Sequence, residues 1–140
     1  MFKIIEYKPE VIINLENGLY QFDSETATGK TRLCELLREY NRAGLPVVAY
    51  SYTDWSLGLD LISVVNKFKP KVLMIDRYDM FIGEYSDFLE SIQDEIIVMI
   101  DCKDMLPFGE YDKVCGIKFT PDKIEVYIWY LYLKMMVEII

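Results

Sequence analysis

Gly18–Leu33, GLYQFDSETATGKTRL, is the stretch that decides how the chain is read. A short apolar and aromatic run (Leu19, Tyr20, Phe22) enters a segment of small residues. That segment closes on Gly29-Lys30-Thr31 and opens into a helical pattern. A strand, a tight loop and a helix with a lysine at its start make a cradle for phosphate: backbone N–H groups at the helix N-terminus favour an anion, and the lysine adds a full charge.

Working outward, Thr31 to Arg42 reads as a helix, with Leu33, Leu36, Leu37 and Tyr40 recurring at three- and four-residue spacing to face a sheet. Ala43-Gly44-Leu45-Pro46 stops it. Upstream, residues 2–7 read as a short strand or a packing arm. Val11 to Leu15 is a β-branched run, and Glu16-Asn17-Gly18 is a turn signal of type I′ character, so a hairpin is expected to lead into the loop. Downstream, Val47 to Tyr50 is a strand and Ser51 to Ser56 a polar loop around Tyr52-Thr53-Asp54-Trp55. Leu57 to Phe68 has helical spacing and ends at Pro70. Val72 to Ile75 is apolar on both faces, as a parallel strand covered by helices should be, and it ends in Asp76. Phe81 to Gln93 has a helical pattern after Gly83 and precedes a second such strand, Ile96 to Ile100, which ends in Asp101. Lys103 to Asp112 reads as a loop. Val114 to Phe119 and Lys123 to Tyr130 read as two strands joined by Thr120-Pro121-Asp122, expected to form an antiparallel C-terminal hairpin.

The alternation of strands and helices predicts an α/β fold with a mostly parallel sheet, in one domain spanning residues 1–140. In such sheets ligands sit beyond the carboxyl ends of the strands. The loop, Asp54, Asp76 and Asp101 all fall just after a strand and are expected to meet at one edge.

Composition narrows the chemistry. The chain carries no histidine, which removes histidine bases, Ser-His and Cys-His pairs and most zinc sites. The net charge is −8, with only four arginines among 15 basic residues, so a broad nucleic-acid footprint is not expected. Cys34, Cys102 and Cys115 are odd in number and form no CxxC pair, which points away from a disulfide scaffold and toward the reducing cytoplasm. The N-terminus lacks the pattern of a signal peptide. The apolar stretch Val126 to Ile140 is interrupted by Lys134 and Glu138 and falls short of a membrane span. Its aromatic and aliphatic residues complete the core or form a surface for a protein partner or a second copy. Tyr52, Asp54 and Trp55 are open to two roles, a partner patch or a contact to a bound base or water.

Ser24, Glu25, Thr26, Ala27, Thr28, Gly29, Lys30 and Thr31 align with GxxxxGK[ST], the Walker A pattern, with Ser24 at the first glycine. Lys71-Val72-Leu73-Met74-Ile75-Asp76 has the form of a Walker B strand; the alternative for Asp76 is the polar end of a buried strand. On these residues the chain resembles a small P-loop NTPase, nearest to the additional-strand class of AAA-type and RecA-type ATPases. The resemblance implies a three-layer fold with helices on both faces of the sheet and the strand order 5-1-4-3-2. It implies ATP and magnesium as ligands, Lys30 and the helix N-terminus on the phosphates, and Thr31 and Asp76 on the metal. Asp101 matches the position of a polar sensor. The place after Asp76, usually a water-polarising glutamate, holds Arg77, so Asp79 and Asp54 are the carboxylates that would substitute. Asp76, Asp79 and Asp101 are thus the candidate catalytic groups. Arg77 has two readings, a phosphate contact or an ion pair with Asp79. With Ser24, Arg77 and no helical lid, the expectation is nucleotide binding with slow or absent hydrolysis. The alternative is a non-enzymatic regulatory or assembly protein on the same fold.

Overall fold

The computed structural model describes residues 1–23, 29–81, 83–102 and 113–128. The chain is α/β. Its strands are β1 (Phe2–Ile4), β2 (Glu10–Ile13), β3 (Gly18–Phe22), β4 (Val47–Ser51), β5 (Val72–Asp76), β6 (Ile97–Ile100), β7 (Val114–Thr120) and β8 (Lys123–Ile128). The helices are α1 (Lys30–Arg42), α2 (Tyr52–Ser56), α3 (Leu61–Phe68) and α4 (Ser86–Ile92), with a 3-10 turn at Tyr78–Met80.

All eight strands form one sheet in the order β1-β2-β8-β7-β3-β6-β5-β4. The pairs β2–β8, β7–β3, β3–β6, β6–β5 and β5–β4 are parallel, and β1–β2 and β7–β8 are antiparallel. Ranked by chain position, the five strands from β7 to β4 run 5-1-4-3-2. β3 meets β7 over two register pairs, Gln21 with Val114 and Phe22 with Cys115.

The central strands are buried. Val72 to Ile75 and Ile97 to Ile100 are buried throughout. Along β5 the residues divide by parity, as side chains alternate across a strand. Val72 and Met74 join a cluster with Leu33, Leu36, Leu37 and Tyr40 of α1, whereas Leu73 and Ile75 join one with Leu61 and Val65 of α3 and Leu89 of α4. The α1 cluster also takes in Ile4, Val11, Ile13, Ile124 and Val126, so α1 packs on both halves of the sheet.

Three local expectations are corrected. β2 and β3 form no hairpin, since β8 and β7 lie between them. A type I′ turn needs positive φ at both central residues. Among the described non-glycine residues only Lys69 and Arg77 have it, so Asn17 does not. Residues 52–56 are helical because Ser51 and Asp54 form a capping box, with the Ser51 hydroxyl accepting from the Asp54 N–H and the Asp54 carboxylate accepting from the Ser51 N–H. The helix expected from Leu57 begins at Leu61, after Gly58 at φ +83° and with Asp60 as its N-cap. The helix expected after Gly83, which has φ +94°, runs over Ser86–Ile92. The expected loop Lys103–Asp112 and the apolar tail from residue 129 lie outside the described residues.

Candidate phosphate and metal site

Three elements converge at the carboxyl edge of the central strands. α1 begins at Lys30, with Gly29 as its N-cap. Strand β5 ends at Asp76, and Asp101 follows β6. The register sets Ile75 beside Ile100, which brings the next residues, Asp76 and Asp101, side by side. Backbone bonds hold the corner: Asp101 N–H donates to the Ile75 carbonyl at 2.8 Å, and Tyr78 N–H to the Asp101 carbonyl at 2.9 Å.

Lys30 reaches Asp101 Oδ1 at 3.0 Å, with the two side chains only 9% and 13% exposed. A lysine is rarely this buried, and here it lies against a carboxylate. Asp76 shares a side-chain hydrogen bond with Asp101. Burial lifts the Asp76 carboxyl above its ordinary range, Asp101 adds to the rise, and Arg77 and Arg38 pull the other way. The arrangement sets one lysine against two neighbouring carboxyl groups. It can hold a further cation, or an anion that takes Lys30 from Asp101.

Gly29 is required by space rather than by φ. A Cβ there would lie 2.8 Å from Ile117 Cγ2 of β7. The start of α1 is thereby pressed against the neighbouring strand. Thr31 lies exposed in the first turn of α1. Ser24, Glu25, Thr26, Ala27 and Thr28 lie outside the described residues.

The remaining candidates sit differently. Asp79 pairs with Arg77, Nε to Oδ1 at 3.2 Å, in the 3-10 turn after β5. Arg77 itself has φ +55°, a conformation that costs a non-glycine residue roughly 1 kcal/mol. Asp54 is committed to structure: besides capping α2, its Oδ2 accepts from Arg38 at 2.6 Å and from the Ser51 hydroxyl at 3.2 Å. Trp55 stacks on Phe81 at 5.7 Å between ring centroids, and its indole N–H donates to Glu84. Tyr52 lies 5.7 Å from Trp55 at the exposed end of this aromatic group.

Arg38 is the residue that sequence reading missed. On the helix pattern it fell on the polar face of α1, yet it bonds both Ser51 and Asp54 and draws on the electrostatics of Cys34 and Asp76. The Ser51-x-x-Asp54 capping box was the available signal, because it marks a carboxylate fixed after β4 that needs a cation. The cysteines are buried, and burial raises all three thiols, Cys102 up to about 12. Such thiols are poor nucleophiles at neutral pH.

The donor set suits a hard cation. Magnesium is held by one or two carboxylates, a hydroxyl and substrate phosphates, with water filling the rest. Among the described residues no group of three or more histidine, cysteine or carboxylate side chains is gathered as a metal site. No helix among the described residues is long and apolar enough to cross a membrane. No protein-family model, curated protein or solved structure matches the chain.

Proposed function

We propose that this chain binds a magnesium nucleotide, ATP, on a P-loop-type three-layer fold and turns it over slowly or not at all. The observation that carries the reading is Lys30: a nearly buried lysine at the start of a helix, at the carboxyl edge of the strands, beside Asp76 and Asp101. A phosphate taking Lys30 from Asp101 exchanges one charge-assisted bond for another. The first-turn N–H groups of α1 have no intrahelical partners and favour the same anion. Thr31 and Asp76 would hold the magnesium, which neutralises phosphate charge when bound. The strand order 5-1-4-3-2 supports the reading, because it sets the strand ending in Asp76 one strand away from the strand feeding the loop.

Slow or absent turnover follows from the carboxylates. Arg77 follows Asp76, Asp54 is consumed by Arg38 and its capping box, and Asp79 is held by Arg77. None of these is a free base aimed at water. The alternative, a non-enzymatic regulatory or assembly protein on this fold, draws on exposed Tyr52, Leu57, Leu59, Ile62 and Met80 as a partner surface.

Thermal melting tests the nucleotide reading. At 100 times its Kd a ligand stabilises by about 2.7 kcal/mol, which for a chain of this size raises Tm by several degrees. Magnesium-ATP is expected to give that rise, and Lys30→Ala to abolish it. Lys30→Ala also strands Asp101, so the readout is the ligand-induced change and not the starting Tm. Thr31→Ala, on an exposed position, is expected to remove the magnesium-dependent part with the fold intact. No rise at millimolar magnesium-ATP overturns the proposal and leaves the assembly reading.

A further inference from the structure

Among the described residues β4 is the last strand of the sheet, and its outer edge is open at a single residue. Pro46 turns its carbonyl to β5, accepting from Lys71 N–H at 2.8 Å. Backbone groups alternate along a strand, so Val48 and Tyr50 also bond β5, while Val47, Ala49 and Ser51 face outward. Val47 is covered at both groups: its N–H donates to the Leu45 carbonyl at 2.8 Å, and its carbonyl accepts from Asn41 Nδ2 at 2.9 Å. The Ser51 N–H donates to Asp54 Oδ2 at 2.9 Å, and its carbonyl enters α2 as the cap. That leaves the N–H and carbonyl of Ala49.

A cavity of about 140 Å³ lies over Ala49. α1 walls it with Arg38, Asn41 and Arg42, and α3 with Val64 and Phe68. It brings together two of the four arginines of a chain whose net charge is −8, and none of the described residues lining it is a carboxylate. Arg38 is held at the rim by Asp54 and Ser51. Arg42 is exposed and has no ion-pair partner among the described residues. Phe68 remains 42% exposed on the opposite wall.

We propose that this slot is a docking site for an extended acidic peptide segment of a partner protein. One residue of the segment pairs its main chain with Ala49, an acidic side chain meets Arg42 beside Arg38, and an apolar side chain lies on Val64 and Phe68. Main-chain pairing to an edge supplies affinity, and the pockets for alternate side chains supply the choice of sequence. Capping at Asn41 and Asp54 limits the pairing to one residue, which shields the edge from open-ended strand addition.

The test is a titration of ¹⁵N-labelled protein with the acetylated, amidated peptide Val-Glu-Val-Glu-Val. Saturable binding is expected, with the Ala49 amide among the resonances that shift, and about tenfold weaker binding to Arg42→Glu. Val-Lys-Val-Lys-Val and a backbone N-methylated Val-Glu-Val-Glu-Val are each expected to lose binding. Arg42 is exposed at the end of α1; should its variant fail to fold, Phe68→Ala reads the same loss from the other wall. The proposal is overturned if no saturable binding occurs at millimolar peptide, if shifts bypass Ala49, or if the N-methylated peptide or the folded variant binds as well as the parent.

Discussion

At the scale of single residues, the Lys30–Asp101–Asp76 corner brings three ionisable groups together at the carboxyl edge of the sheet. Its three groups come from sequence-distant positions, and each is legible only in part. Lys30 was readable from Gly29-Lys30-Thr31, and Asp76 and Asp101 from the apolar runs they end. That Asp101 takes Lys30 was not readable, because it depends on which strand lies beside β5. The corner makes a pH prediction. A carboxyl raised above its unfolded value, as Asp76 is, contributes stability below the unfolded pKa and loses it as pH rises through the folded one. Ionisation of Asp76 therefore works against the fold. Asp76→Asn, which keeps a donor for Asp101 without the charge, is expected to raise Tm by a few degrees toward the upper end of the pH range. The gap should narrow as pH falls and wild-type Asp76 becomes protonated. Melting curves across pH 4–8 check it, and a variant that is less stable at pH 8 contradicts the assignment.

Elements are decided by periodicity and punctuation, and here the reading was strongest where those signals agreed. α1 runs over nearly the expected residues because an apolar stripe and the stop at Ala43-Gly44 coincide. The helix expected from Leu57 failed at its start because periodicity alone ran through Gly58. The cap at Asp60, accepting from Ser63 N–H at 3.1 Å, sets the true boundary. At its other end α3 closes with Lys69 at φ +47°, whose N–H donates to the Val65 carbonyl. This left-handed position suits glycine, and Lys69 is exposed. Lys69→Gly is expected to stabilise the protein by about 0.5–1 kcal/mol, from the relieved backbone strain net of glycine's added chain entropy. Urea denaturation of the two forms measures it, and a destabilised variant would contradict the strain.

Among the described residues the shortest seam in the sheet is the junction of β3 and β7, with its two register pairs. α1 spans it, because its buried face belongs to one cluster with Val72, Met74, Ile97 and Met99 on one side and Val11, Ile13, Ile124 and Val126 on the other. Leu37 is fully buried in that cluster. Leu37→Ala is expected to cost about 3 kcal/mol, combining lost burial with a cavity. Because both halves lean on the same helix, far-UV circular dichroism in urea should show one transition, shifted to lower urea at unchanged slope. Separate transitions for the halves would refute the role given to α1.

The sequence by itself determined the α/β class, the apolar parallel strands at the centre, the helix following Gly29 and the aspartates that end β5 and β6. These are local: each rests on alternation, three- and four-residue spacing, or a glycine or proline stop. Tertiary structure decided the rest. It placed β8 and β7 between β2 and β3, drew Arg38 from the polar face of α1 to Asp54, and buried Lys30 against Asp101. The reason is that a strand's partner and a charge's counterion are chosen by which faces can be buried together across the chain. No neighbouring residue carries that information, so the Gly18–Leu33 stretch puts Lys30 at the start of a helix, and the sheet decides that Asp101 lies against it.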